Sequence, residues 1–224
     1  PQGFAEPWRF VQGPENHDIV YLGREPRIAR LGDPDHPRSW FARSRARVAT
    51  GLSLTAPGVP MLFMGQEFLE DKQWSDDFVA HRDLLLYWTG VDQGDRQMFD
   101  HLRFTRELLA LRRRSPALRG QGFRVTHVHD QNRVLAFHRW VEGEGHDVMV
   151  ILHLANFTRV GYRIGFPGSG DWREVFNSDV YENWINAGAA GNNGRVVAMS
   201  QPLHGFDSSA SIVLPANSLL VFAR

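Results

Sequence analysis

The chain has 224 residues, 42% of them hydrophobic, and its 25 basic residues balance 25 acidic ones to a formal net charge of zero. That balance excludes a polybasic nucleic-acid scaffold or membrane-surface binder, which need a sustained excess of Lys and Arg. With no cysteine there is no disulfide framework and no thiolate metal site, which fits a reducing cytoplasm, and no run approaches the roughly twenty apolar residues that span a bilayer.

The chain opens Pro1-Gln2-Gly3, with neither an initiator methionine nor a basic-then-apolar leader. It reads as mid-protein sequence, so a fragment or a processed chain is expected. A short apolar run, Trp8, Phe10 and Val11, leads into "GPENHD", residues 13–18. The plain reading of His17-Asp18 is a polar turn closing a strand, because Asn and Asp favour turns. The alternative is a pair of site residues, since α/β barrels build active sites from carboxylates at the carboxyl ends of parallel strands. Residues 39–56 predict a helix with Ser39 as N-cap and Pro57-Gly58 as the stop, its apolar side carrying Phe41, Val48, Leu52 and nearby alanines. "VPMLFMG", closed by Gly65, is the continuous apolar run of a strand buried on both faces. Glu67 follows two residues later, and a loop-shaping role that forms a cleft floor fits it better than direct substrate contact. An irregular polar loop, "QEFLEDKQWSDD", comes next. A second amphipathic helix is expected from about Arg96 to Arg114, with Met98, Phe99, Leu102, Leu108 and Leu109 inward and Arg112-Arg113-Arg114 complementing the helix dipole.

From about Gly120 the apolar period changes from roughly 3.6 to 2. Eight short β-rich runs follow, "FRVTHVH" to "SLLVFA", separated by turn residues and with no helix between them, which predicts an antiparallel sandwich or barrel. The domains expected are therefore 1–115 and 116–224. The first supplies only two strands, too few for a finished parallel sheet, so the others must be missing or come from another chain. Strand 59–65 would then carry unpaired edges, covered by another copy or by rearrangement.

Other motifs read plainly. His127 and His129 alternate on one strand face but lack a third ligand, so a cross-strand or surface pair is expected and no metal. "GAAGNNG", 188–194, lacks the Lys-Ser/Thr of a phosphate cradle and reads as a flexible loop. Trp172 and Trp184 could stack on sugars, yet aromatics in a sandwich are usually core. No serine sits in a G-x-S-x-G elbow.

"ENHD" resembles the last of the shared blocks of the α-amylase superfamily, glycoside hydrolase family thirteen, at the seventh barrel strand. "PGVPMLFMGQEF" is similar to the eighth strand and its loop. Within the superfamily the chain is most similar to the bacterial 1,4-α-glucan branching enzymes. The shared features are M-G-x-E-F, the Trp74-Ser75-Asp76 segment, an Arg-rich helix before "SPAL", the "WREVFNSDVYENW…AGNNG" stretch and the closing "LPANSLLVFAR". The resemblance implies an α/β plus all-β fold, holding the end of a (β/α)8 barrel from the seventh strand to the eighth helix and then a β-sandwich. A whole barrel takes about 250 residues, so the nucleophilic Asp and acid Glu would lie on earlier strands. Asp18 would match the transition-state-stabilising carboxylate and His17 the neighbouring substrate-binding histidine. α-1,4-Glucan (glycogen, amylose) would be the substrate, with no cofactor. The fragment alone would be inactive and could self-associate through its strand edges. Asn16 stands where branching enzymes generally carry Ser. That keeps a related hydrolase (amylase or trehalohydrolase) as an alternative, beside a non-catalytic carbohydrate-binding β-module.

Overall fold

A computed structural model describes residues 6–224; Pro1-Gln2-Gly3 lie outside the described residues. The chain begins with a two-residue strand, β1 (Val11–Gln12), then α1 (Ile28–Gly32), α2 (Trp40–Thr55) and β2 (Val59–Pro60), which pairs in parallel with β1. Helices α3 (Trp88–Asp92), α4 (Arg96–Arg114) and α5 (Pro116–Arg119) follow. The strands β3 (Gly122–His129), β4 (Val134–Trp140), β5 (Asp147–His153), β6 (Arg159–Phe166), β7 (Gly170–Asn177), β8 (Arg195–Ala198), β9 (Ser208–Leu214) and β10 (Ser218–Ala223) complete it. Six of these form an antiparallel sheet in the order β3-β4-β5-β10-β7-β8, and β6 pairs with β9 in a separate antiparallel sheet.

The apolar alternation explains the layers. On β5, Val148, Val150 and Leu152 face one way with Leu219 and Val221 of β10, meeting Val48, Leu54, Phe104 and Leu108 of the helices. Met149, Ile151, Leu220 and Phe222 face the other way, toward Ile164, Phe166 and Ile212 of the small sheet. Both faces of β5 and β10 are thus covered, which is why "DVMVIL" and "SLLVFA" are continuous apolar runs. Trp172 is fully buried in the second core, its Nε1 donating to the Gly168 carbonyl at 2.9 Å, so it is core and offers no face to a sugar.

The helix termini follow their caps. Ser39 Oγ accepts from Ala42 N at 3.2 Å, and Asp95 Oδ1 accepts from Gln97 N and Met98 N. The inward face of α2 matches expectation at Val48 and the alanines Ala42 and Ala46 but not at its two largest side chains. Phe41 and Leu52 are exposed, and the buried face is made of Ala42, Ala46, Val48, Thr50, Gly51 and Leu54. Close approach selects small residues: a Cβ on Gly51 would come within 2.8 Å of Leu219 Cδ1, and one on Gly32 within 2.9 Å of Ala42 Cα. On α4, Met98, Leu102 and Leu108 are buried as expected and Leu109 half-buried, but Phe99 is exposed and the polar Asp100, His101 and Thr105 go inward instead.

The strand expected over 59–65 is also corrected. Only Val59–Pro60 pairs, Val59 and Met64 are exposed, and a doubly buried strand would need neighbours on both edges where the described residues supply only β1. The loop after it is less polar than expected: Gln66, Phe68, Leu69 and Glu70 are buried. Glu70 organises it, its Oε1 accepting from Asp71 N and Lys72 N and its Oε2 from Tyr87 N at 2.7 Å. Nor is 188–194 a loose loop, because the Asn192 side chain pairs with Val213 N and O like a strand and also reaches Glu174.

Two arginines hold the carboxyl end of α2, Arg139 from the six-stranded sheet and Arg112 from α4. Arg139, wholly buried on β4, donates to the carbonyls of Thr55, Gly120 and Gly122. Arg112 donates to those of Leu54, Ala56 and Gly58. Both cations sit at the carboxyl end of α2, where the helix dipole favours them. Burial still pulls the Arg139 guanidinium down to about 10.

Candidate functional site

The site begins at the end of β1. Asn16 folds the chain back on itself, its Oδ1 accepting from Ile19 N at 2.8 Å and its carbonyl from Val20 N at 3.0 Å. That turn pushes the next two side chains outward. His17 and Asp18 keep 63% and 73% of their side-chain surface open, with His17 Nε2 3.5 Å from Asp18 Oδ2. Beneath them lies a buried ion pair, Arg27 Nε to Glu15 Oε2 at 3.0 Å. Glu15 Oε1 accepts from Ile28 N, and Arg27 Nη2 donates to the Met64 carbonyl beyond β2, so the pair ties the ends of the two parallel strands together. Burial raises the Glu15 carboxyl above its usual range despite the Arg27 charge and the Ile28 amide.

A second segment braces the turn. Trp74 N donates to the Val20 carbonyl and Leu22 N to the Trp74 carbonyl, a parallel bridge across the site. Gln73 Nε2 donates to the carbonyls of Tyr21, Arg24 and Glu25, while its Oε1 accepts from Gly23 N. Arg24 in turn donates to the Asp18 carbonyl at 2.9 Å. The Tyr21 hydroxyl donates to Asp76 Oδ1 at 2.8 Å, which raises the phenol above its usual range. The Trp74 ring stands edge-on to His17 at 6.0 Å and to Phe63 at 6.1 Å.

Trp74 is also a wall of a cleft of about 630 Å³ that includes Arg27, Met64, Asp76, Phe78 and Trp88. His17 and Asp18 are not among the residues that line this cleft, and Glu67 is gathered with neither. It lines a separate cleft of about 560 Å³ with Leu62, Phe68 and Leu109, joined to the first only by Met64 and Trp88.

Sequence reasoning singled out His17 and Asp18 but missed the Gln73 clamp and the Glu15–Arg27 pair. Only proximity in space reveals them, although an acid and an arginine flanking a turn hinted at the pair. Among the described residues, no group of three or more His, Asp and Glu is arranged to hold a metal ion. His127 instead meets the Tyr162 hydroxyl at 2.9 Å and stacks on His204. Chemically, an open carboxylate beside an imidazole and an aromatic edge is suited to gripping the hydroxyls of a sugar ring.

Comparison with known proteins gives this arrangement a context. Residues 125–224 match the alpha amylase C-terminal all-beta domain. The chain is 33% identical over 216 residues to the 1,4-alpha-glucan branching enzyme GlgB of Pseudomonas syringae pv. tomato, covering 96% of this chain and 28% of that protein. It is 33% identical over 212 residues to the enzyme of the same name from Frankia casuarinae, covering 90% of this chain and 24% of that one. The solved structure of a pullulanase from Anoxybacillus sp. LM18-11, complexed with maltotetraose, superposes with a TM-score of 0.63 at 17% identity. That match covers 99% of this chain and 28% of the pullulanase, and it speaks to the fold alone. Residues 125–224 are therefore an α-amylase-type C-terminal all-β domain. Over nearly its whole length the chain is similar to 1,4-alpha-glucan branching enzymes, and it spans about a quarter of the length of the relatives it matches. Among the described residues, no helix is long and apolar enough to cross a membrane.

Proposed function

We propose that this chain is the carboxyl-terminal portion of a cytoplasmic 1,4-α-glucan branching enzyme of glycogen biosynthesis. In this reading residues 1–115 are the end of its (β/α)8 barrel and 116–224 its β-domain. The observation that carries the proposal is 33% identity sustained over 96% of the chain to a branching enzyme. The parallel pairing of β1 with β2, and the placement of Asp18 just past the end of β1, support the barrel assignment.

Branching by this route follows retaining glycosidase chemistry, with a carboxylate nucleophile and an acid/base carboxyl about 5 Å apart and an oxocarbenium-like transition state. Both groups would be supplied by the barrel strands preceding this segment. The covalent glucan is then captured by a glucan 6-hydroxyl in place of water, which makes the α-1,6 branch. Asp18 grips ring hydroxyls more tightly in the distorted transition state than in the ground state, and so lowers the barrier by differential binding. His17 hydrogen-bonds a neighbouring hydroxyl. Glu67, which lines the neighbouring cleft, has no direct part in gripping the sugar in this reading. The 224-residue chain alone has no branching activity in this reading; its β1–β2 edges are covered by the rest of the barrel in the full-length protein, and by a second copy or by rearrangement in the isolated chain.

Linkage analysis of the full-length product tests this. New α-1,6 signals in the proton spectrum of treated amylose support branching. Shorter chains with new reducing ends and no α-1,6 signal would assign a hydrolase instead.

A further inference from the structure

Between β8 and β9 the chain makes a tight turn, Leu203–Phe206, closed by reciprocal backbone bonds of 2.9 and 3.0 Å. His204 and Gly205 both lie in the left-handed region, at φ 53° and 76°. On one side the turn crosses β6 so closely that a Cβ on Gly165 would run into the Leu203 carbonyl, and Gly165 N donates to His204 Nδ1 at 3.3 Å. On the other side, each ring of the turn rests on a histidine of the six-stranded sheet. His204 stacks on His127 of β3 with ring centroids 3.9 Å apart and planes 15° from parallel. Phe206 meets His138 of β4 edge-on at 5.5 Å.

The two histidine seats differ in what surrounds them. His138 has a carboxylate, its Nε2 lying 2.6 Å from Asp147 Oδ1, and it stacks on Trp140. Burial lowers His138 below the usual histidine range, and Arg124 adds to this, but Asp147 offsets part of it, an aid that His127 and His204 lack. His127 meets only the neutral hydroxyl of Tyr162 from β6 and, beyond that, other bases: His129 two residues along β3 and His204 on the turn. Arg163 of β6 bears on His204, and Arg124 lies over Phe206 while donating to the Gly205 carbonyl. Among the described residues no carboxylate forms an ion pair with His127, His129 or His204.

We propose that the 203–206 turn is an acid-released clasp of the sandwich: charging the stacked His127–His204 pair, which has no carboxylate partner, drives the turn off the six-stranded sheet, and Phe206 leaves its seat on His138 with it. Two cations at stacking distance repel. Protonation of His204 at Nδ1 also removes the acceptor that Gly165 N uses. Burial, then His204 and His129, pushes His127 down to about 4; burial, then Arg163, lowers His204. With folded-state values depressed, the clasp is fully closed above the usual histidine value of ~6.5. It is lost as the pH falls from there toward about 4. Opening uncovers Phe206 and the His138–Trp140 face of the sheet.

Amide exchange on the 224-residue chain, corrected for intrinsic rates, tests this. Between pH 7 and pH 4.5 the Gly165, Leu203 and Phe206 amides should lose at least tenfold in protection, while β5 and β10 amides keep theirs. The loss should disappear in His204→Asn, which tolerates the left-handed backbone and can still accept from Gly165, and in His127→Gln. It should persist in His138→Phe. If a variant is already open at pH 7, histidine ring signals in the unaltered chain decide: opening must coincide with titration of His127 and His204. Undiminished protection at pH 4.5 would overturn the proposal. So would opening that survives unchanged in both His204→Asn and His127→Gln, or that begins while both rings are still neutral.

Discussion

Glu182 offers the sharpest test of how the helical part is held to the β-domain. Its carboxylate, just after the turn Ser178–Tyr181, is shared by two arginines of α2. Arg47 Nη2 reaches Oε2 at 2.8 Å, and Arg43 binds Oε1 through both Nε and Nη2. The Arg47 side chain is only 3% exposed. Burial by itself would raise the Glu182 carboxyl, but the hydrogen bonds and charges of Arg43 and Arg47 outweigh it and hold the group below its usual range. Removing it in Glu182→Ala strands an enclosed guanidinium. Breaking one side of a buried pair costs about 3–5 kcal/mol, and at roughly 2–4 °C per kcal/mol for a chain of this size the melting temperature should fall by ~6–20 °C. The folded-state carboxyl is depressed, so this stabilisation is present above ~pH 4.5 and lost as the pH falls through the lowered value. The gap between variant and parent should therefore close in acid. Replacing both partners, Arg47→Met with Glu182→Leu, should recover much of the loss, because an apolar pair avoids the desolvation cost. Urea unfolding at pH 7 and at pH 3.5 measures all of this. A loss below ~1 kcal/mol for Glu182→Ala at pH 7 would refute the reasoning.

Further perturbations probe the two cores and their polar ties. Phe104 is fully buried against Phe176 and Tyr181, so Phe104→Ala should cost about 3–5 kcal/mol by the same unfolding assay. Asn192→Ala removes the pairing with Val213 and Glu174 and should cost about 1–3 kcal/mol, with faster exchange of the Val213 amide. His101 is enclosed on α4; burial first, then Arg47 and Arg38, pushes it down to about 3. Its neutral form is native, so stability should fall as the pH drops from ~6.5 toward about 3. His101→Phe should flatten that part of the urea-midpoint profile.

Much of the β-domain was legible in the sequence, because strands covered on one face alternate and those covered on both faces, β5 and β10, run apolar throughout. The cap at Ser39 is a local signal too, and it holds. The inward face of α2 was legible at Val48 and its alanines but not at Phe41 and Leu52, for a packing reason: at the close approach to Leu219 and Gly32 the buried side chains are small, while those two point to solvent. The length of β2 could not be read either, since apolar composition reports burial potential and not the presence of neighbouring strands. At the site, the turn residues Asn16, His17 and Asp18 stand out by type. The brace formed by Gln73 and Trp74 joins segments some fifty residues apart, and no local pattern encodes it.

The measurement that bears most directly on the proposed function is the rate of α-1,6 linkage formation by the full-length protein carrying Asp18→Asn. The side chain is 73% exposed, so the melting temperature should stay within ~1 °C of the parent. The turnover number should fall about 10²–10³-fold, the scale seen when a preorganised transition-state-stabilising group is removed. Unchanged turnover in a folded Asp18→Asn protein would contradict the assignment of Asp18 as the carboxylate that grips the distorted sugar.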